Sequence, residues 1–341
     1  MRPRSWTALA TLAVAASLAL PACGGGSNAG DPVSTSTIAT TTTGPTDPTV
    51  VEVKPPVDAQ GQTTDVSVST PDGRTRTAHL YVPATLPSGA VPLLVALHGG
   101  GGSGTQFQET SRYDRIAEAN GFLVAYPDGL GGGPQGTTLR TWNGGVCCGA
   151  AVRDGVDDVA FLRQLVTQLS EAHDIDPDRV FASGHSNGMI MSFRLVCEAA
   201  DVFVAAAGQA GTLGIDGCAP STAISLLDIH GDADASLPID GGTGDGLSGV
   251  DFPSPRASVR SLAEVEGCDA EPRVSSNGPL TSETWGGCDG GGEIAFKTLA
   301  GASHAWMGSV AVVRPGAPEP FADYDASLAS WFFLANHARR S

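Results

Sequence analysis

The stretch that decides the fold is Arg179-Val180-Phe181-Ala182-Ser183-Gly184-His185-Ser186-Asn187-Gly188. Arg179 to Ser183 reads as a buried strand, and Asn187 to Ala199 carries the apolar spacing of a helix. Gly184 to Gly188 is therefore a G-x-S-x-G turn set between a strand and a helix, the context in which that motif presents a serine nucleophile. The turn is so tight that a side chain at either glycine would strike neighbouring backbone. It projects the Ser186 hydroxyl above the helix N-terminus, whose amides favour developing negative charge. His185 is expected to face away from that hydroxyl and to be structural.

Outward from the turn, the chain alternates strands and helices. Thr64–Ser69 and Thr75–Val82 form a hairpin around Pro71-Asp72-Gly73. Leu93–Leu97 is an uninterrupted apolar run, as expected of a strand covered on both faces. A helix near Thr110–Asn120, ended by Gly121, precedes a strand at Phe122–Tyr126. Val159, Phe161, Leu162, Leu165, Val166 and Leu169 recur at helical spacing behind Asp157 and Asp158, acids suited to a helix start. Further strands are expected at Phe203–Ala207, Ala223–Ile229 and Glu293–Leu299, and a terminal helix at Ala322 to about Ala338. Repeated βα units imply one α/β domain, a mostly parallel sheet with helices on both faces and an antiparallel hairpin at its start.

In such sheets, chemistry gathers at the carboxyl ends of the strands. Leu97-His98-Gly99-Gly100-Gly101-Gly102-Ser103-Gly104 follows a buried strand there and offers backbone N–H groups to an oxyanion. A phosphate loop is the rival, but the lysine of a Walker motif is missing. The Gly100 amide and that of Asn187, the residue after Ser186, are the expected oxyanion donors. His98 is expected to fix its loop. The order serine, acid, histidine narrows the partners. Of the later histidines, His230 precedes the plausible acids of its segment and His337 lies in the terminal helix, which leaves His304 as the base. The strand ending at Ile229 runs into His230-Gly231-Asp232-Ala233-Asp234. Asp234 lies far enough past the strand to reach an imidazole, with Asp232 the runner-up. Calcium binding by this segment lacks an EF-hand pattern.

The sequence resembles the polyhydroxybutyrate depolymerase and feruloyl esterase group of α/β-hydrolases, including its lipoprotein esterases, from about Asp65 to the C-terminus. The likeness rests on His98-Gly99-Gly100, Tyr126-Pro127-Asp128-Gly129, Trp142-Asn143-Gly144-Gly145-Val146-Cys147-Cys148-Gly149, Val156 to Val159, Gly184 to Met189, His230 to Asp234, Gly267-Cys268 and His304-Ala305-Trp306. The Trp-Asn-Gly-Gly-x-Cys-Cys-Gly run is its most specific part. The resemblance implies Ser186 as nucleophile, Asp234 as acid and His304 as base, without a cofactor or metal. It implies feruloyl, acetyl or hydroxyalkanoate esters as substrates. Met307 replaces the usual proline after His-x-Trp, and Arg260–Val265 lacks the usual tryptophan before Gly-Cys, which bears on substrate choice. Trp142 and Trp306 are either stacking surfaces in a substrate pocket or packing residues. An acyltransferase with the same triad is the alternative function, followed by a non-catalytic solute-binding lipoprotein. No polymer-binding module is expected.

The N-terminus reads as an export address. Met1-Arg2-Pro3-Arg4 is basic, Trp6–Leu20 is an apolar run too short for a transmembrane helix, and Leu20-Pro21-Ala22-Cys23-Gly24 is similar to a bacterial lipobox. Residues 1–22 are thus expected to be a signal peptide, with Cys23 lipidated and anchored to the outer face of the membrane. Residues 24–56, rich in Gly, Ser, Thr and Pro, would be a flexible tether with a reach on the order of 30 Å, and 57–341 the catalytic domain.

Six of the seven cysteines remain: Cys147, Cys148, Cys197, Cys218, Cys268 and Cys288. An even number in an exported chain favours disulfides. Cys268 and Cys288 flank a short polar excursion and are expected to pair. A bond between adjacent Cys147 and Cys148 needs a strained ring, so each is expected to reach Cys197 or Cys218 instead. The 341-residue chain is 41% hydrophobic, with mean hydropathy +0.02 and net charge −17 from 36 acidic and 19 basic residues. That supports a sizeable core and argues against nucleic acid and anionic lipid as partners. The expected unit is a monomer acting on a small or oligomeric ester.

Overall fold

The computed structural model describes residues 50–133, 136–246, 248–310 and 319–339. The expected signal peptide, Cys23 and residues 24–49 of the expected tether lie outside them. Strands β1 (Gln62–Ser69) and β2 (Thr75–Val82) open the body, followed by β3 (Val91–Leu97), α1 (Gly104–Ser111), α2 (Tyr113–Asn120) and β4 (Leu123–Pro127). A small hairpin, β5 (Leu130–Gly132) with β6 (Thr138–Thr141), precedes α3 (Gly149–Arg153), α4 (Asp158–Ala172), β7 (Ile175–Gly184) and α5 (Asn187–Glu198). Next come β8 (Ala205–Gln209), β9 (Ser225–Gly231), the short pair β10 (Gly242–Thr243) and β11 (Asp251–Phe252), and α6 (Pro255–Val265). The chain closes with β12 (Arg273–Asn277), β13 (Leu280–Trp285), β14 (Ile294–Leu299) and α7 (Ala326–Ala335).

Ten strands form one sheet in the order β1-β2-β4-β3-β7-β8-β9-β14-β13-β12. From β4 to β14 every neighbouring pair is parallel, and the two strands beyond each end add antiparallel. Every residue of β3 is buried, as its unbroken apolar sequence requires. One face of the sheet packs with Phe161, Leu162 and Leu165 of α4, Phe193 of α5 and Leu262 of α6. The other packs with Phe107 of α1, Ile116 of α2 and Trp331 of α7. Asp157 caps α4, its side chain accepting from the Ala160 N–H, and the apolar positions at helical spacing turn inward from there.

Several expectations are corrected. The helix near Thr110–Asn120 is two helices, because Arg112 takes φ +56° and breaks the run. The excursion between Cys268 and Cys288 holds the β12–β13 hairpin, so the sheet is antiparallel at its far margin as well as at its start. The expected tether ends early. The Val51 N–H donates to Asn336 Oδ1 (2.7 Å) and the Lys54 N–H to Asn120 Oδ1 (2.8 Å), while Val53 packs against the core.

Cys268 and Cys288 pair as expected, but the other four cysteines pair differently from expectation. Cys147 bonds to its neighbour Cys148, and Cys197 to Cys218. Packing explains the difference. Cys197 faces the main core from α5, with the Cys218 Cα 5.0 Å from its own, whereas Cys147 sits in a separate cluster with Ile190, Leu237 and Phe252. Among the described residues no helix is long and apolar enough to cross a membrane.

Candidate active site

Ser186 sits where β7 turns into α5. A Cβ on Gly184 would drive into the Gly188 backbone, and one on Gly188 into the Leu97 carbonyl, so both glycines are dictated by space. Ser186 itself takes φ +55° and ψ −123°, a conformation that a non-glycine residue holds only when its surroundings impose it. Part of that imposition is its N–H, which donates to the Gln209 carbonyl at the end of β8 (2.9 Å).

The next strand ends supply the partners. Asp234, three residues past β9, is buried; its Oδ1 accepts from the Ser236 and Leu237 N–H groups, both at 2.9 Å. Its Oδ2 lies 2.7 Å from Nδ1 of His304, which stands in the loop after β14. The carboxylate can only accept there, so Nδ1 carries the hydrogen and Nε2 keeps its lone pair for an incoming proton. Burial works to raise the Asp234 pKa, but the His304 imidazole, His230 and the Leu237 N–H outweigh it and hold the carboxyl below its ordinary value. Asp232 is exposed and turned away, accepting from the Gly301 N–H. His230 is buried between Asp228 Oδ2 (3.2 Å) and the Leu237 carbonyl (2.9 Å). Ser186 Oγ makes no hydrogen bond among the described residues, and in ligand-free sites such contacts are commonly long.

The glycine loop lies against the elbow. Gly99 is close enough that an ideal Cβ on it would stand 3.5 Å from Ser186 Cβ, and one on Gly100 would stand 3.8 Å from Asn187 Cβ. The Gly101 and Gly102 N–H groups donate to Arg140 O and Gly99 O, whereas those of Gly100 and Asn187 donate to nothing among the described residues. His98 fixes the loop: the Gly129 N–H donates to its Nε2 (2.9 Å), so its Nδ1–H donates to Gly99 O (2.7 Å). Burial pushes the His98 pKa down to about 4, which keeps the ring neutral.

Trp142 and Trp306 are packing residues, and the pocket alternative is corrected. Their exposures are 0% and 2%, Trp142 Nε1 donates to the His98 carbonyl and Trp306 Nε1 to Ser327 Oγ. A ring with no free face cannot stack on a substrate. His185 is more than a bystander, because its Nε2 lies 2.8 Å from the His304 carbonyl. Three contributors escaped the sequence reading. The Asn187 side chain bonds the backbone of Trp142, and the buried Arg76 bridges Asp158 Oδ1 (2.9 Å) and the Asp128 carbonyl (3.0 Å). Gln209 is the third. A polar residue closing the small, apolar run Ala205-Ala206-Ala207-Gly208 was the signal available for it.

A mostly parallel sheet with a strand–serine–helix elbow, and an aspartate–histidine pair past later strands, defines an α/β-hydrolase. The chain belongs to the family described as Esterase PHB depolymerase, whose profile matches residues 77–242. It is 34% identical over 297 residues to the putative esterase NocK of Nocardia uniformis subsp. tsuyamanensis, covering 78% of this chain and 80% of that one. It is 32% identical over 223 residues to feruloyl esterase B of Piromyces equi, covering 63% of this chain and 40% of the relative. Among solved structures, a ferulic acid esterase of Anaeromyces mucronatus shares the fold with a TM-score of 0.52 at 13% identity, covering 86% of this chain and 95% of that one.

Proposed function

We propose that the protein is an exported serine carboxylic-ester hydrolase. The observation that carries this reading is the 2.7 Å bond between Asp234 and His304, set in the loops past the strand ends next to the Ser186 elbow. His304 Nε2 takes the Ser186 proton as Oγ bonds to the ester carbonyl carbon. The Gly100 and Asn187 amides hold the oxyanion. The bond to the alcohol oxygen then breaks, and His304 gives that oxygen its proton. Water, deprotonated by the same imidazole, attacks the acyl-enzyme, and Ser186 recovers its proton as the acid leaves.

The substrate is a small or oligomeric feruloyl, acetyl or hydroxyalkanoate ester. Relatives named feruloyl esterase, acetylxylan esterase and poly(3-hydroxyalkanoate) depolymerase support that range. Three disulfides suit an oxidising, extracellular compartment. A monomer held to the membrane through lipid on Cys23 completes the reading. It is tested by initial hydrolysis rates on methyl ferulate, an aryl acetate and a 3-hydroxybutyrate oligomer, with Ser186→Ala as blank. Saturable release above the blank on one of them is expected. Rates equal to the blank on all three, from folded protein, would overturn the reading.

A further inference from the structure

We infer that Gln209 is a positioning residue that locks the base loop to the nucleophile; the inference rests on the serine-hydrolase reading above. Gln209 closes β8, the strand lying between β7, which leads to Ser186, and β9, which leads to Asp234. Its backbone carbonyl accepts the Ser186 N–H (2.9 Å), one of the bonds holding the strained elbow. Its side chain crosses to the segment carrying the base. Nε2 donates to Ala305 O (2.9 Å) and lies 3.4 Å from His304 O, while Oε1 accepts the Met307 N–H (2.9 Å). One residue thus holds the nucleophile with its main chain and the base with its amide.

The need for such a device follows from where His304 stands. Residues 302–310 belong to no helix or strand, so no ladder of backbone bonds fixes the imidazole. Asp234 holds the ring through Nδ1, which sets tautomer and tilt but leaves the Cα free to shift. Gln209, helped by His185 Nε2 on the same His304 carbonyl, holds the main chain at the imidazole itself, with the buried Trp306 two residues on as a further anchor. Gln209 is fully buried, and a primary amide there offers donor and acceptor together without a charge. Misplacing a reacting group by about 1 Å costs on the order of 100-fold in rate, so a clamp at this point bears on kcat rather than on substrate binding.

Two variants test the inference, each measured per folded molecule by near-ultraviolet circular dichroism. Gln209→Met keeps length and loses all three side-chain contacts, and kcat is expected to fall ~10–100-fold with KM little changed. Gln209→Glu can mimic the amide only when protonated, with its O–H donating to Ala305 O and its C=O accepting from Met307. Its kcat relative to wild type is therefore expected to fall as pH rises from 5 to 8, a dependence that a residue serving only stability would not show. Wild-type kcat in folded Gln209→Met, or a flat Gln209→Glu ratio, overturns the inference. If Gln209→Met does not fold, the Gln209→Glu ratio decides. Full activity in Ser186→Ala would instead bring down the hydrolase reading itself, an outcome separate from either.

Discussion

Asn187 and Trp142 exchange two hydrogen bonds: the Trp142 N–H donates to Asn187 Oδ1 (2.7 Å), and Asn187 Nδ2 donates to the Trp142 carbonyl (3.0 Å). The side-chain amide thus pairs with main chain as a neighbouring strand would, tying the Trp142–Cys148 segment to the elbow. In the proposed mechanism the same residue offers its backbone N–H to the oxyanion. Asn187→Ala keeps that N–H but leaves the buried Trp142 N–H without its acceptor, while the Trp142 carbonyl keeps the Gly144 and Cys148 N–H groups, and is expected to cost about 1–3 kcal/mol in urea unfolding. A variant as stable as wild type would show the exchange to be dispensable.

Asp234→Asn tests the acid. An asparagine would donate to His304 Nδ1 and so move the hydrogen to Nε2, the nitrogen that accepts from Ser186 in the proposed mechanism. In other triads this change costs about 10⁴-fold in kcat, and a comparable loss is expected here. Asp232→Asn, altering an exposed side chain that accepts from the Gly301 N–H, is expected to leave kcat nearly unchanged. Equal effects from the two would remove Asp234 from its place in the triad.

Two histidines predict how stability follows pH. Burial pushes His98 down to about 4, and burial with the nearby His304 pushes His185 down to about 3. Between those values and about 6.5 the unfolded chain binds protons that the folded chain refuses. Stability is therefore complete above about pH 6.5 and drains away as pH falls through that window. For the fully buried His98 the loss from pH 7 to pH 5 is about 2 kcal/mol. Unfolding curves at the two pH values check it, and His98→Asn is expected to flatten the dependence.

The Arg76–Asp158 pair is a stability element under the site. Both side chains are buried, and Asp158 Oδ2 also accepts the Asn143 N–H (2.8 Å). Arg76→Met leaves a carboxylate without its counter-ion and is expected to cost about 3–5 kcal/mol. Arg76→Met combined with Asp158→Leu is expected to recover part of that loss in thermal melts, because no lone charge then remains.

Removing one disulfide separates covalent from packing contributions. The Cys197–Cys218 bond closes a loop with a sequence separation of 21 residues, and replacing both cysteines with alanine is expected to cost about 3 kcal/mol of unfolding free energy. Activity per folded molecule should persist.

Much of this was legible in the sequence because each signal was local. The elbow carries its glycines within five residues, and β3 shows its burial in every position. Other features were hidden for equally physical reasons. All five residues of β12 are exposed, so the strand has no alternation to betray it. Helix α6 did have a visible start, Ser254 capping it ahead of Pro255, but its buried face mixes Ser258 with Val259, Leu262 and Ala263, which leaves a short apolar stripe. The cysteine pairing depended on which apolar cluster each thiol entered, and that is a property of tertiary packing. Trp142 and Trp306 show the same limit, since an aromatic beside a motif reads alike whether it packs or binds. Gln209 was invisible as a partner because its contacts lie 95 to 98 residues away in the chain.

Those distances bear on how the enzyme is born. Asp234 and His304 are 70 residues apart, and His185 and the His304 carbonyl it contacts are 119 apart. Contacts of such long sequence separation are bought with loop-closure entropy and form late in folding. The chain can therefore assemble helices and hairpins well before Ser186 meets His304, the base proposed for it. On the proposed mechanism, catalytic competence arrives with the docking of β14 and its following loop, so the nascent protein stays chemically silent until the sheet has closed.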